Sequence, residues 1–207
     1  ALLGTGGGLW FPVETTSPAS GRITLTPAFQ PRLVSGICGT TWFKSEAGST
    51  GVLATAEAAC NPITNGGFET GTLLDWTTSG ASVTISTSAH SGSFGAMIGS
   101  TSPTNGDSTV QQTFVVPGTG GTLTLWYKNI CPDTVYYDWF IATLQNPSGQ
   151  TLATIVPKTC TASGSWTQAT LNLASWAGQS VVVVMTNHDD NYPSDPTYSF
   201  VDDIGVQ

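Results

Sequence analysis

Charge is scarce in this 207-residue chain: Asp, Glu, Lys and Arg make up 9% of it, against roughly 25% in an ordinary domain. Basic residues are scarcest, five in all (Arg22, Arg32, Lys44, Lys128 and Lys158), and the net charge is −8. A nucleic-acid surface needs a basic stripe that displaces counterions, and none can be assembled from so few. Anionic membranes repel such a chain for the same reason, so neither nucleic acid nor membrane insertion is expected. The acidic surplus suits neutral partners, cations or an acidic habitat. Histidine is nearly missing, with two in the chain, and no cysteines stand at CxxC spacing, so a zinc site is not expected. No apolar run is long enough to span a bilayer. Ala1-Leu2-Leu3-Gly4 lacks the basic start and apolar stretch of a signal peptide, so the chain reads as a mature form or a fragment whose leader is gone. Glutamate is limited to Glu14, Glu46 and Glu69, which leaves little for the facing carboxylates of a glycosidase. Neither His90 nor His188 lies near a G-x-S-x-G nucleophile motif. An enzyme is not expected, and no catalytic residue is assigned.

What is present fits a secreted β-protein. Hydrophobic residues make up 39%, and seven Trp, eight Phe and five Tyr supply bulky core material. Ser, Thr, Gly and Asn carry the polar surface, a composition in which turns use Gly and Asn and strands use Thr and Val. The four cysteines, Cys38, Cys60, Cys131 and Cys160, are an even set that reads as two disulfides in an oxidising compartment. Three connectivities are possible. Proximity favours Cys38–Cys60 and Cys131–Cys160, each closing a loop of roughly 20 to 30 residues and contributing on the order of 3 kcal/mol.

Sustained helical periodicity is missing, and the best helix candidate is the Ala-rich stretch Gly51–Cys60. Short alternating runs bounded by Gly, Pro and Asn fill the rest: Ser82–Ser86, Ser108–Val116, Gly121–Lys128, Tyr136–Leu144, Thr151–Val156, Trp166–Leu173, Val181–Thr186 and Tyr198–Val206. Turn signals recur about every ten residues, the pattern of an all-β sandwich or jelly roll. Residues 1–60 differ, with a glycine cluster at Gly4–Gly8, apolar Leu9-Trp10-Phe11-Pro12, and strand-like runs at Gly21–Thr26 and Gln30–Ile37. This disulfide-stapled extension is too short to hold a core alone. It packs on the jelly roll, pairs with a neighbouring molecule, or ends a larger domain. The boundary falls at residues 60–62.

From Asn65 the chain reads Asn-Gly-Gly-Phe-Glu-Thr-Gly-Thr-Leu-Leu-Asp-Trp76. This resembles the opening strand of the jelly-roll carbohydrate-binding modules, which begin N-G-[GD]-F-E before a glycine-rich turn and a Trp. Further segments are similar to that family in the same order: Ser91–Ala96, Gln112–Pro117, Leu123–Tyr127, Ser165-Trp166, Ala177–Val181 and Tyr198–Val206 with its Asp-Asp-Ile. The resemblance covers residues 61–207 and implies a galactose-binding-like β-sandwich. Cys131–Trp139, Pro157–Cys160 and Asn187–Tyr198 also resemble modules appended to secreted bacterial hydrolases, a likeness that supports the Cys131–Cys160 pairing.

The resemblance further implies a structural calcium ion between the first and last strands. Glu69 and Asp203 match its acidic positions, and Gly67 matches the position of a carbonyl donor. Calcium takes six to eight oxygens and mixes carboxylate with carbonyl ligands readily. A second acidic group, Asp189, Asp190, Asn191 and Asp195, lies in the loop Asn187–Asp195. Its oxygens could hold a second cation, though the spacing is not that of an EF-hand; Asx-turns in a tight Pro-containing loop explain it without an ion and are the favoured reading.

Glycan binding needs exposed rings that stack on sugar C–H faces, flanked by polar groups. Alternation places Leu123, Leu125 and Tyr127 toward the core and Trp126 on the opposite face, and it separates Asp138 from Trp139. The binding-face candidates are Trp126, Tyr137, Asp138, Trp139, Asn187 and His188. Trp76 and Trp166 read as core filler. The expected function is a non-catalytic extracellular or cell-surface module attaching to polysaccharide or cell-wall glycan. One alternative is a surface or filament subunit that adds its N-terminal strand to other copies of itself. The other is the C-terminal accessory domain of a larger secreted hydrolase.

Overall fold

The computed structural model describes residues 61–207 and, within residues 1–60, the strands alone. The chain divides into two compact units, Ala1–Cys60 and Asn61–Gln207. In the first, β1 (Leu2–Leu3), β2 (Leu9–Val13), β3 (Gln30–Val34) and β4 (Thr41–Glu46) form an antiparallel sheet in the order β1-β2-β4-β3. The run expected from Gln30 is thus β3. The runs at Gly21–Thr26 and Gly51–Cys60, and the Cys38–Cys60 bridge, fall outside the described residues.

The second unit has ten strands: β5 (Thr77–Gly80), β6 (Val83–Ser86), β7 (Gly95–Gly99), β8 (Asn105–Val115), β9 (Thr122–Ile130), β10 (Trp139–Gln145), β11 (Thr151–Thr159), β12 (Thr167–Asn172), β13 (Ser180–Asp190) and β14 (Tyr198–Val206). They make two five-stranded sheets, β11-β10-β13-β8-β5 and β12-β9-β14-β7-β6. Every pairing in them is antiparallel. Residues 61–207 are therefore a jelly-roll sandwich, as the composition and the ordered motifs predict. Helical structure among the described residues amounts to a 3-10 turn at Ala174–Trp176. No helix among them is long and apolar enough to cross a membrane.

Alternation builds the core. On β9, Leu123 and Leu125 are completely buried, and they face Phe140, Ala142 and Leu144 of β10 and Val181, Val183 and Met185 of β13. Tyr127, next in the β9 series, stacks on Phe140 across the sandwich with ring centroids 5.3 Å apart. Its burial pushes the phenol pKa up. The N-G-G-F-E segment serves this core as well: Phe68 is fully buried and packs 5.4 Å from Trp76. The indole N–H of Trp76 donates to the Asn65 carbonyl, while the Asn65 amide donates to the carbonyls of Thr72 and Leu74.

Three expectations need correction. Tyr136–Asp138 is a turn before β10, closed by the N–H groups of Tyr137 and Asp138 on the Thr134 carbonyl. Two strands without an alternating signature, β5 (Thr-Thr-Ser-Gly, exposed throughout) and β7 (Gly-Ala-Met-Ile-Gly), complete the sheets. Trp166 is half-buried on the outside of the second sheet rather than in the core.

Cys131 follows β9 and Cys160 follows β11, so their disulfide, with Cα atoms 5.1 Å apart, ties one sheet to the other. Its sequence separation of 29 corresponds to about 3–4 kcal/mol of loop-closure stabilisation. Reduction is expected to lower the unfolding free energy by that amount in urea titrations with and without dithiothreitol. An unchanged midpoint would show that the sheets hold together without the bridge.

Candidate functional site

The outer faces of the two sheets differ. On the first sheet, cross-strand register aligns Trp139 of β10 with His188 of β13 and Asp107 of β8. The Trp139 and His188 rings are stacked, their planes 3° from parallel and their centroids 5.0 Å apart. His188 Nδ1 lies 2.7 Å from Asp107 Oδ1. The ammonium of Lys158, on neighbouring β11, sits 3.7 Å from the Trp139 ring centroid. The next row along the same face is Ile141, Thr186, Thr109 and Ser79, in which the Thr109 and Thr186 hydroxyls are hydrogen-bonded at 3.0 Å. Beyond it come Thr154, Thr143, Val184, Gln111 and Thr77. Thr143 and Val184 each keep only 7% of their surface exposed although they point outward, so the middle of this face is recessed. The result is a hydroxyl-bearing strip with an aromatic pair at one end.

The outer face of the second sheet is covered. Residues 88–94 cross it as a strap, placing His90 on Trp126 with centroids 3.7 Å apart and planes 13° from parallel. Trp166 meets His90 edge-on at 5.7 Å. Lys128 donates to the Ser88 hydroxyl at 2.5 Å and lies 4.5 Å from the Phe200 ring.

The strap is held by carboxylates of β14 and of the opening segment. Asp202 accepts the N–H groups of His90, Ser91 and Asp203. Asp203 takes the Ser91 hydroxyl at 2.8 Å and His90 Nδ1 at 2.7 Å. Glu69 accepts the N–H groups of Ser93 and Phe94. Asp202 is fully buried, and burial pushes its carboxyl pKa up against the opposing pull of these N–H bonds. An irregularity between Asp202 and Gly205 in the β14–β9 ladder lets both aspartates reach the strap while Ile204 and Val206 return to the core.

The residues expected to hold calcium come together here. A Cβ placed on Gly67 would stand 3.6 Å from Asp203 Oδ1, 3.8 Å from Asp202 Oδ1 and 3.8 Å from Glu69 Cγ. The oxygens are of the type a hard cation takes, but hydrogen bonds from residues 90–94 already engage Glu69, Asp202 and Asp203, and His90 is the single basic side chain paired with them among the described residues. Asp202 belongs to this group although the sequence reading passed over it; the adjacent Asp203 shares its motif, and composition cannot choose between them.

The expected binding face divides. Trp139 and His188 share the open face, and Tyr137 is 51% exposed in the turn before it. Trp126 belongs to the opposite sheet, under His90, so it cannot join them. Asp138 and Asn187 are corrections: they are 0% and 1% exposed and point inward. Asn187 donates to the Thr197 carbonyl and accepts from the Ser199 hydroxyl. Asp138 accepts the Thr197 hydroxyl at 2.6 Å and the Asp190 N–H at 2.8 Å, and burial raises its carboxyl pKa. Sequence reasoning missed Asp107 and Lys158, because their place beside Trp139 depends on which strands are neighbours. His90 and His188 each contact an aspartate through Nδ1, and among the described residues no hydroxyl bonds either ring.

Solved structures share this architecture. TmCBM61 in complex with β-1,4-galactotriose is similar at a TM-score of 0.56 and 15% identity, covering 72% of this chain and 99% of its own. The CBM22-1 xylan-binding domain of Paenibacillus barcinonensis Xyn10C is similar at a TM-score of 0.52 and 14% identity, covering 74% of this chain and 97% of its own. Neither a family model nor a curated protein matches the chain. The likeness is one of fold: residues 61–207 are a jelly roll similar to those of these two carbohydrate-binding modules.

Asn187 provides a test that separates packing from ligand contact. Asn187→Ala leaves the Ser199 hydroxyl and the Thr197 carbonyl without their buried partner. The expected loss is about 2–3 kcal/mol in urea unfolding, since buried polar groups without partners carry their full desolvation cost. A loss below 0.5 kcal/mol (roughly the scatter of surface substitutions) would contradict this structural role.

Proposed function

We propose that residues 61–207 are a non-catalytic extracellular module that binds polysaccharide or cell-wall glycan on the outer face of the first sheet, with calcium as a structural ion at the strap. The observation that carries the reading is the stacked Trp139–His188 pair beside the recessed strip of threonine hydroxyls. A pyranose offers C–H groups to the rings and hydroxyls to Thr109, Thr186 and Asp107. The Lys158 stem is flexible, so its ammonium can leave the Trp139 ring and donate to a sugar oxygen. Tyr137 lies in the preceding turn, within the same approach to this face. The folds of two modules whose structures contain galactotriose or are described as xylan-binding support the class of ligand without specifying it. The Cys131–Cys160 disulfide supports an oxidising, extracellular setting.

Co-sedimentation with insoluble cellulose, xylan, galactan, chitin and peptidoglycan is the direct test. Binding to at least one is expected, weakened roughly tenfold or more by Trp139→Ala or His188→Ala, as for an aromatic hot spot. Trp126→Ala should leave that affinity unchanged, because its ring lies on the other sheet. A wild-type protein that binds none of the panel would sink the reading.

Calcium at Gly67, Glu69 and Asp203, with Asp202 completing the acidic set, would add a counterion to three carboxylates that have His90 as their one basic partner among the described residues. Chelation with EGTA is expected to lower the melting temperature. Restored calcium at 100 times its dissociation constant should return about 2.7 kcal/mol. Glu69→Gln should abolish this response, and an identical melting curve in EGTA and calcium would remove the ion from the account.

A further inference from the structure

Asparagine stands directly before glycine at two places in the chain, Asn65-Gly66 and Asn105-Gly106. Glycine has no Cβ, so its backbone nitrogen can approach the preceding carboxamide carbon with little steric hindrance. Attack there forms a bond from the glycine N to the asparagine Cγ, breaks the Cγ–Nδ2 bond and releases ammonia. Water then opens the succinimide ring to aspartate or isoaspartate. The net exchange is amide nitrogen for water oxygen, and it needs neither cofactor nor oxidant.

The fold treats the two pairs differently. The Asn65 amide donates to the carbonyls of Thr72 and Leu74, both at 3.0 Å, and its Oδ1 accepts the Thr70 hydroxyl at 3.1 Å. Gly66 is buried, and its carbonyl accepts the Ile204 N–H. Ring closure at Asn65 would have to break these bonds and move the segment docked on β14. Asn105 is exposed, and among the described residues no hydrogen bond holds its carboxamide. A Cβ on Gly106 would meet no heavy atom within 4 Å. The pair opens β8 and lies across from Asp190 and Asp189, the last residues of β13. Strand ends open more readily than strand centres, and opening lets the carboxamide and the glycine nitrogen meet.

We propose that Asn105 is a site of spontaneous deamidation, while folding protects Asn65. The product is a new carboxylate opposite Asp190 in the β8–β13 register, where like charges across an antiparallel pair are unfavourable. Isoaspartate also routes the backbone through the former side chain, which lengthens it two residues before Asp107, the partner of His188. The modification therefore falls at the end of the open face. Its consequence for glycan binding rests on the function proposed above, whereas the chemistry at Asn105 stands without it.

Peptide mapping by mass spectrometry of the native full chain, incubated in mildly alkaline buffer, reads both positions at once. Asn105 is expected to convert at least roughly tenfold faster than Asn65, because the hydrogen bonds of the Asn65 carboxamide oppose ring closure. In urea that protection is gone, and the two positions should convert at similar rates. Asn105→Ser should remove the fast conversion and leave the circular dichroism of the wild type. Native Asn65 converting as fast as Asn105 would overturn the proposal. So would an Asn105 that stays intact over the time in which the urea-unfolded chain converts, or a difference of the same size persisting in urea.

Discussion

The jelly roll is closed by the fit of its opening segment against its last strand. The Ile204 N–H donates to the Gly66 carbonyl at 3.0 Å, and the Val206 N–H donates to the Asn61 side chain at 3.0 Å. A Cβ on Gly66 would stand 1.9 Å from the Ile204 carbonyl oxygen, a backbone atom that cannot move aside. Only glycine allows this approach, and once it is made Glu69 is carried toward Asp202 and Asp203. The anionic cluster is a consequence of the closure. So is the strap, since its N–H groups find their acceptors in that cluster.

The strap decides which sheet can meet a ligand. By laying His90 on Trp126 and drawing Lys128 to Ser88, it spends the aromatic surface of the second sheet on internal contacts. Asp202 holds it from a fully buried place, where three N–H donors offset part of the cost of burying the carboxylate. Nothing comparable crosses the first sheet among the described residues. Its aromatic pair and threonine hydroxyls therefore face outward, so the asymmetry of the sandwich follows from where the opening segment docks.

Much of this was legible from residue order. The alternation of Leu123, Leu125 and Tyr127 foretold the core side of β9, and the separation of Asp138 from Trp139 foretold that one would be inside. Alternation reports a side of one strand, however, and is silent about which strand lies next to it. Trp126 and Trp139 both face outward, and only the strand order shows that they look in opposite directions. Asn187 was misread for a related reason: in a polar run at the end of a strand, hydrophobicity no longer marks the inward position. β5 and β7 were overlooked because their short, small residues carry no periodic signal; pairing to β8 and β14 holds them in place.

Asp138 and Asn187 belong to one continuous chain of buried polar groups. Asn129 donates to Ser199, Ser199 to Asn187, Asn187 to the Thr197 carbonyl, and the Thr197 hydroxyl to Asp138. Apolar side chains in those places would leave the Thr197 carbonyl and the Asp190 N–H without partners, so the end of the core is polar by necessity. On β13 the inward Asn187 and Asp189 bracket the outward His188, and in the turn before β10 the inward Asp138 precedes the outward Trp139. Strand geometry then fixes the two outward rings by fixing the inward polar groups. The orientation of the aromatic pair depends on hydrogen bonds in the interior, and residues that touch no ligand set the shape of the face that does.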